Sequence, residues 1–444
     1  CALPIYGFVA AVLPVWLLLA PRDYLSTFLK IGTIVGLAIG ILIMRPTLTM
    51  PALTKFVDGT GPVWTGNLFP FLFITIACGA VSGFHALISS GTTPKMLANE
   101  GQACFIGYGG MLMESFVAIM ALVSACIIDP GVYFAMNSPM AVLAPAGTTD
   151  VVASAAQVVS GWGFSITPDT LRQIASEVGE QSIISRAGGA PTLAVGMAYI
   201  LHGSLGGLMD VSFWYHFAIL FEALFILTAV DAGTRAARFM LQDLLGVVSP
   251  GLKKTSSLPA NLLATALCVL AWGYFLHQGV VDPLGGINTL WPLFGIANQM
   301  LAGMALMLCA VVLFKMKRQR YAWVALLPTS WLLICTLTAG WQKSFSPDTK
   351  VGFLAIANKF QAMIDSGAIP PQYTESQLAQ LVFNNRLDAG LTIFFMIVVV
   401  VLALFSIKTA LAALKEDKPT AKETPYEAMP ADAQGLTAQA KRAH

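Results

Sequence analysis

From Leu391 to Ile407 the chain reads LTIFFMIVVVVLALFSI, with no charged residue. Crossing a bilayer takes roughly 18–20 apolar residues. Inside lipid such a run can satisfy its backbone groups within one segment only as a helix. Similar runs recur at Ile5–Ala20, Thr27–Met44, Leu68–Ser90, Tyr108–Ile128, Ser212–Val230, Pro259–Leu276, Ile287–Phe314 and Tyr321–Trp341. Charged residues make up 11% of the chain, against roughly 25% in soluble domains. The sequence therefore predicts an all-α polytopic membrane protein of roughly nine to ten transmembrane helices, with discontinuous or re-entrant elements. The chain starts at Cys1 and is membrane-like from Ile5, so we expect it to be part of a longer protein with further N-terminal spans.

The connecting segments carry their own expectations. Pro21–Tyr24 reads as a polar and proline stop between the first two spans, and Gly32, Gly36 and Gly40 form a small-residue ladder suited to helix packing. Asp129–Ala187 reads as a long polar loop with one helix over Thr167–Glu180, opened by Thr-Pro-Asp. Gly188–Asp210 is apolar, glycine-rich and centred on His202, and is expected to be a re-entrant or broken hairpin packed in protein. Asp231–Leu245 reads as an amphipathic helix beyond its span, Ile287–Phe314 as a span interrupted by Pro292 and Asn298-Gln299, and Gln342–Asp388 as a polar loop with a helical middle. Glu416–His444 is expected to be a disordered tail. Lys and Arg gather after Val230, between Phe314 and Tyr321, and beyond Lys408, which places those segments and the C-terminus in the cytoplasm.

Ile74–Pro94, ITIACGAVSGFHALISSGTTP, begins as a membrane helix and then turns polar. Ser82, Gly83, His85, Ser89, Ser90, Thr92 and Thr93 stand where a lipid-facing helix would carry Leu or Val. An interrupted helix beside a solute path accounts for them; close packing of small residues between helices is the plainer alternative. Asn298 and Gln299 put two amides inside a span, where they bind a polar solute or hydrogen-bond another helix. Glu114 and Glu222 sit within apolar runs. A carboxylate there pairs, binds a cation or takes up a proton, so both are candidates for proton coupling, with a helix-fixing bond as the alternative. His85 and His202 lie in glycine-rich breaks, where a histidine relays protons or simply packs. Asp231 and Arg235, four apart, can pair on one helix face at the cytoplasmic boundary; the alternative is a gate in which Asp231 or Arg235 meets a partner such as Asp210.

Enzymatic readings find no support. The sequence holds no GxxxxGK[ST] loop and no HExxH. Its seven cysteines are scattered and form no CxxC pair. No catalytic residue, metal site or cofactor is expected, and no basic tract points to nucleic acid. A membrane sensor would need an output domain, which the short tail does not offer.

Four strings carry a resemblance: YGFVAAVLPVWLLLAPRDYLSTFLKIGTI from Tyr6, SGFHALISSGTTPKML from Ser82, DAGTRAARFMLQDLLG from Asp231 and TLWPLFGIANQMLA from Thr289. In this order they resemble the carbon starvation protein A (CstA) family along nearly the whole chain. The resemblance implies a multi-pass transporter of the bacterial inner membrane, taking up short peptides or, in close relatives, pyruvate, coupled to H+. It implies part of the family's N-terminal region over 1–202, a five-span region over 203–410 and a tail over 411–444. It also implies a likeness to the amino acid–polyamine–organocation transporters, whose fold uses discontinuous helices. No motif of the family carries substrate contacts to individual residues, so the candidates above rest on the membrane argument.

Overall fold

The computed structural model describes residues 2–421 other than 77, 78, 80, 98, 146, 256, 283–285, 371 and 372; the side chains of 95 and 286–290 also lie outside the description. Cys1, Cys78 and the expected tail from 422 onward fall outside the described residues. The described elements are helical: α1 (Ala2–Val12), α2 (Leu19–Met44), α3 (Leu68–Ile76), α4 (Gly83–Gly91), α5 (Gln102–Cys126), α6 (Pro130–Asn137), α7 (Met140–Leu143), α8 (Val151–Gly161), α9 (Pro168–Glu177), α10 (Gly189–Ser204), α11 (Val211–Val248), α12 (Leu258–Val281), α13 (Gly286–Lys315), α14 (Trp323–Phe345), α15 (Phe353–Asp365) and α16 (Glu375–Lys415). Among them α2, α5, α11, α12, α13, α14 and α16 are long and apolar enough to cross a membrane, seven in all.

Several expectations change. The span foreseen over Ile5–Ala20 is two pieces, because α1 ends at Val12 and α2 begins at Leu19. Pro14 disfavours helical geometry at the residue before it and lacks the N–H that would continue the ladder. Pro21 to Tyr24 is no stop but the first turns of α2, where a missing N–H costs nothing at the helix start. α13 runs unbroken through Pro292, Asn298 and Gln299, and α11 carries Asp231–Leu245 as a direct continuation of its span. α16 starts at a Thr374 capping box with Gln377, well before the apolar run it contains.

Asp129–Ala187 is not a loop with one helix but four short helices packed as a cap. Asp129, Asp150 and Thr167 cap α6, α8 and α9 by accepting backbone N–H bonds from Gly131, Val152 and Thr170. Val132, Met136, Leu143, Val159, Leu171 and Val178 bury against α10 and its neighbours in one apolar cluster. Phe56 joins it through edge contacts with Phe134 and Trp162. Gly188–Asp210 is one helix rather than a hairpin. Its glycines serve contact: a Cβ at Gly196 would stand 2.1 Å from the Ser124 carbonyl oxygen of α5. The turn comes later, at Gly206 and Gly207, both in the left-handed region. α10 is packed in protein, with Thr192, Ala194, Met197, Ala198 and Ile200 buried.

A second cluster joins α3, α13, α14 and α16 through Phe71, Ile74, Ile296, Met300, Ala339 and Val399. Between the two clusters lies α4, packed on both α11 and α13.

Candidate functional site

The polar stretch expected to break a helix does so, at its start. α3 ends at Ile76 and α4 begins at Gly83, so the residues from Gly83 to Gly91 are themselves helical. A break exposes carbonyls at the end of one half and N–H groups at the start of the next. Both ends find partners on α13. Gln299 Nε2 donates to the Phe73 carbonyl at 2.7 Å, and Asn298 Oδ1 accepts the Phe84 N–H at 2.9 Å. Ser82 caps α4 by accepting the His85 N–H at 3.1 Å. The approach requires glycine: a Cβ on Gly83 would lie 2.1 Å from the Asn298 carbonyl oxygen, and one on Gly295 would lie 2.6 Å from the Ile74 carbonyl oxygen. Two adjacent amides inside a span, open in purpose from the sequence, thus hold the two halves of a discontinuous helix.

The other faces of α4 meet different neighbours. A Cβ on Gly233 would stand 2.8 Å from the Phe84 ring, and one on Gly91 3.2 Å from Ala236, so α11 packs closely along it. His85 points the other way and brings Nε2 to 3.9 Å from Glu114 of α5, with both side chains about half exposed. Ser89 and Ser90 are exposed and bond back to the Ala86 and Leu87 carbonyls. Thr92 is buried with its hydroxyl unpartnered among the described residues, and Thr93 opens a short 3-10 turn. Glu222 is half-buried on α11, with no polar partner among the described residues. It stands 11 positions before Gly233, or about 16 Å along the helix, away from α4. His202 binds the Met209 carbonyl through Nδ1 at 2.7 Å and so ties down the turn after α10.

Asp231 and Arg235 share α11 but not a salt bridge. Asp231 is fully buried and pairs with the Arg22 guanidinium, and Tyr6 donates to it at 2.9 Å. Arg22 also reaches Tyr6 and Asp23, and Lys30 donates to Thr228 at 2.8 Å. Arg235 donates instead to the carbonyls of Ala10 and Leu13, and Arg238 to that of Ala11. These are the free carbonyls at the C-terminal end of α1, where cations also suit the helix dipole. Asp210 lies just before α11, 21 positions from Asp231, or about 31 Å along one helix, so the two cannot meet in a gate.

The carbon starvation protein CstA family matches this chain over residues 1–339. The chain belongs to that family. It is 94% identical over 439 residues to the peptide transporter CstA of Escherichia coli (strain K12), covering 99% of this chain and 63% of that protein. It is 59% identical over 443 residues to the pyruvate/proton symporter BtsT of the same organism, covering 96% of this chain and 62% of that protein. The peptide transporter CstA of Helicobacter pylori (strain ATCC 700392 / 26695) is 53% identical over 426 residues, 95% of this chain and 61% of that protein. The chain thus spans somewhat under two thirds of the length of these relatives. No solved structure matches it.

Within this CstA-family chain, the largest group missed from the sequence is Tyr6, Arg22, Asp23, Lys30 and Thr228 around Asp231. The visible signal is the Arg22-Asp23 pair beside Pro21, which reads by itself as a polar and proline stop. Its partner stands more than 200 positions away, beyond the reach of any spacing argument.

Proposed function

We propose that this chain is the membrane core of a proton-coupled importer of short peptides, working in the bacterial inner membrane during carbon starvation. The observation that carries the reading is the broken helix α3–α4 with both ends tied to Asn298 and Gln299, in a chain of the CstA family. Discontinuous helices of this kind place backbone groups beside a solute path in secondary transporters. Ser82, Gly83, His85, Ser89, Ser90, Thr92, Thr93, Asn298 and Gln299 line that path, and Glu222, Glu114, His85 and His202 serve the proton. Two of the first N–H groups of α4 are already taken by Asn298 and Ser82. Its dipole therefore steers a substrate carboxylate more than its N–H groups bind one. Pyruvate is the second substrate reading, favoured by the likeness to a relative named as a pyruvate/proton symporter.

In this reading α3–α4, α10 and α1 add crossings to the seven long helices, giving nine to ten and a likeness to the amino acid–polyamine–organocation transporters. The organisation is 1–202, 203–410 and a tail over 411–444. The C-terminus is cytoplasmic. Lys317, in the basic turn after α13, donates to the Ala413 carbonyl at the end of α16 at 2.7 Å, so two of the basic segments share one side.

The test is uptake of labelled dipeptide and labelled pyruvate into proteoliposomes holding the protein at its relatives' full length, with and without an inward proton gradient. Gradient-driven accumulation of one solute fixes the substrate class. Glu222→Gln keeps solute exchange and loses accumulation; full accumulation by that variant removes Glu222 from the proton route.

A further inference from the structure

Where α12 meets α16, a buried polar cluster stands apart from every residue used above. Asp282, just past the end of α12, and Asn384 and Asp388 of α16 are each less than a tenth exposed. Asn384 and Asp388 are one turn apart and share a face of α16. With Phe275 and Leu387 among its walls, the cluster lines a cavity of about 10 Å³, room for about one water-sized sphere. Asn384 Nδ2 donates to Asp282 Oδ2 at 2.8 Å. This leaves Asn384 Oδ1 buried with no donor among the described residues. The Asp388 carboxylate has neither a hydrogen bond nor an ion pair among them.

Among the described residues, the surroundings offer Asp388 no neutralising charge. Asp282 faces it from α12 and Tyr373 stands near Asp282 ahead of α16. α15 presents Ile356 and Phe360, with Lys359 exposed, and Arg386 of α16 is exposed. Lys343 of α14 sits among the rings of Trp64, Phe71 and Phe353. Gln380 donates to Gln278 beside the cavity. An acceptor without a donor, next to a buried acid without a cation, is completed by one proton between them. Among the described residues no third His, Cys, Asp or Glu joins the two acids to make a group that could hold a metal ion. A peptide or pyruvate does not fit the volume.

We propose that Asp388 and Asn384, backed by Asp282, form a proton-binding site of this transporter. Loaded, Asp388 is a carboxylic acid whose O–H donates to Asn384 Oδ1, while Asn384 Nδ2 keeps its bond to Asp282. On release the proton passes to water and Asp388 is left as the carboxylate. The coupling role of the site rests on the proton-driven transport proposed above; its proton binding does not.

Two measurements separate those claims. Infrared difference spectra of the full-length protein in lipid, stepped from neutral to alkaline pH, read the carbonyl band of a protonated carboxylic acid. The wild type and Asp388→Glu show the band and its loss on deprotonation, and Asp388→Asn lacks it. No band in the wild type, or an equal band in Asp388→Asn, overturns the site whatever the protein transports. Asn384→Leu keeps the acid but removes its acceptor, so the band moves to higher frequency; an unmoved band overturns the hydrogen bond. In proteoliposomes with an inward proton gradient, Asp388→Asn exchanges labelled dipeptide but does not accumulate it. Accumulation equal to wild type overturns the coupling role. If wild type itself accumulates neither dipeptide nor pyruvate, the transport reading falls, and the infrared band still decides the site.

Discussion

Gly83→Ala puts the strongest demand on the junction of α4 with α13. The new Cβ would lie 2.1 Å from the Asn298 carbonyl oxygen, 2.7 Å from Leu301 Cβ and 3.0 Å from the Ala302 nitrogen. Two of these three atoms belong to backbone, so relief requires α4 to move off α13 by more than 1 Å, as ordinary contact lies at 3.4–4 Å. Overpacking of this kind costs about 1–3 kcal/mol. The shift also breaks the Phe84 N–H bond to Asn298 Oδ1 and strands a buried group, costing about 1–3 kcal/mol more. The gain in helix propensity from Gly to Ala, about 1 kcal/mol, runs the other way and is smaller. The net loss is about 1–5 kcal/mol, a large part of a typical stability of 5–15 kcal/mol. Gly36→Ala is the control, since its Cβ meets nothing within 4 Å and the same propensity gain stands unopposed. Thermal melting of the purified protein, read by loss of the monodisperse peak in size exclusion, orders them Gly83→Ala below wild type and Gly36→Ala at or above it. Equal melting of the two variants would refute the close approach of α4 and α13.

Two further outcomes follow from the same coordinates. Arg22→Met leaves the fully buried Asp231 without its cation and costs about 3–5 kcal/mol, while Arg22→Met with Asp231→Leu recovers most of it; equal melting of single and double variants sinks the pairing. In the cap, the Ala153 N–H above all, aided by Arg172, holds the Asp150 carboxyl below its ordinary value of 3.8. A depressed value means the stabilisation is present above pH 3.8 and is lost as pH falls through the folded value. The protection factor of the Val152 and Ala153 amides, measured against their intrinsic exchange at each pH, therefore holds from pH 7 to pH 5 and falls in acid. Asp150→Ala removes that dependence; an unchanged profile contradicts the cap.

The long apolar runs and the broken helix were legible because they are local. Lipid dictates an apolar run of fixed length, and glycine with hydroxyls marks a break whatever lies opposite. The cap over 129–187 was legible only at α9, whose spacing and Thr-Pro-Asp start mark it; α6 and α7, 8 and 4 residues long, are too short to show a helical period. α10 was misread because glycine signals both turns and close contact, and only the Ser124 carbonyl against Gly196 separates the two. Asp231 pointed to Arg235 by spacing, yet Arg235 answers the carbonyls left open where Pro14 ends α1, a demand invisible in the sequence around it. Asp388 fell in a stretch read as polar loop, so its burial could not be foreseen.

The two sides of α4 are fastened differently. Toward α13 it is tied by a directional hydrogen bond and a backbone contact that leaves no slack. Toward α11 the contacts are Phe84 on Gly233 and Gly91 on Ala236, smooth surfaces without a polar bond among the described residues. Sliding along a smooth apolar seam costs far less than breaking buried hydrogen bonds. Of the two seams of α4, the one against α11 is therefore the easier to slide. A displacement of α11 relative to α4 would part the seam lined by Phe84 and Gly233 and leave the ties of α3 and α4 to α13 intact.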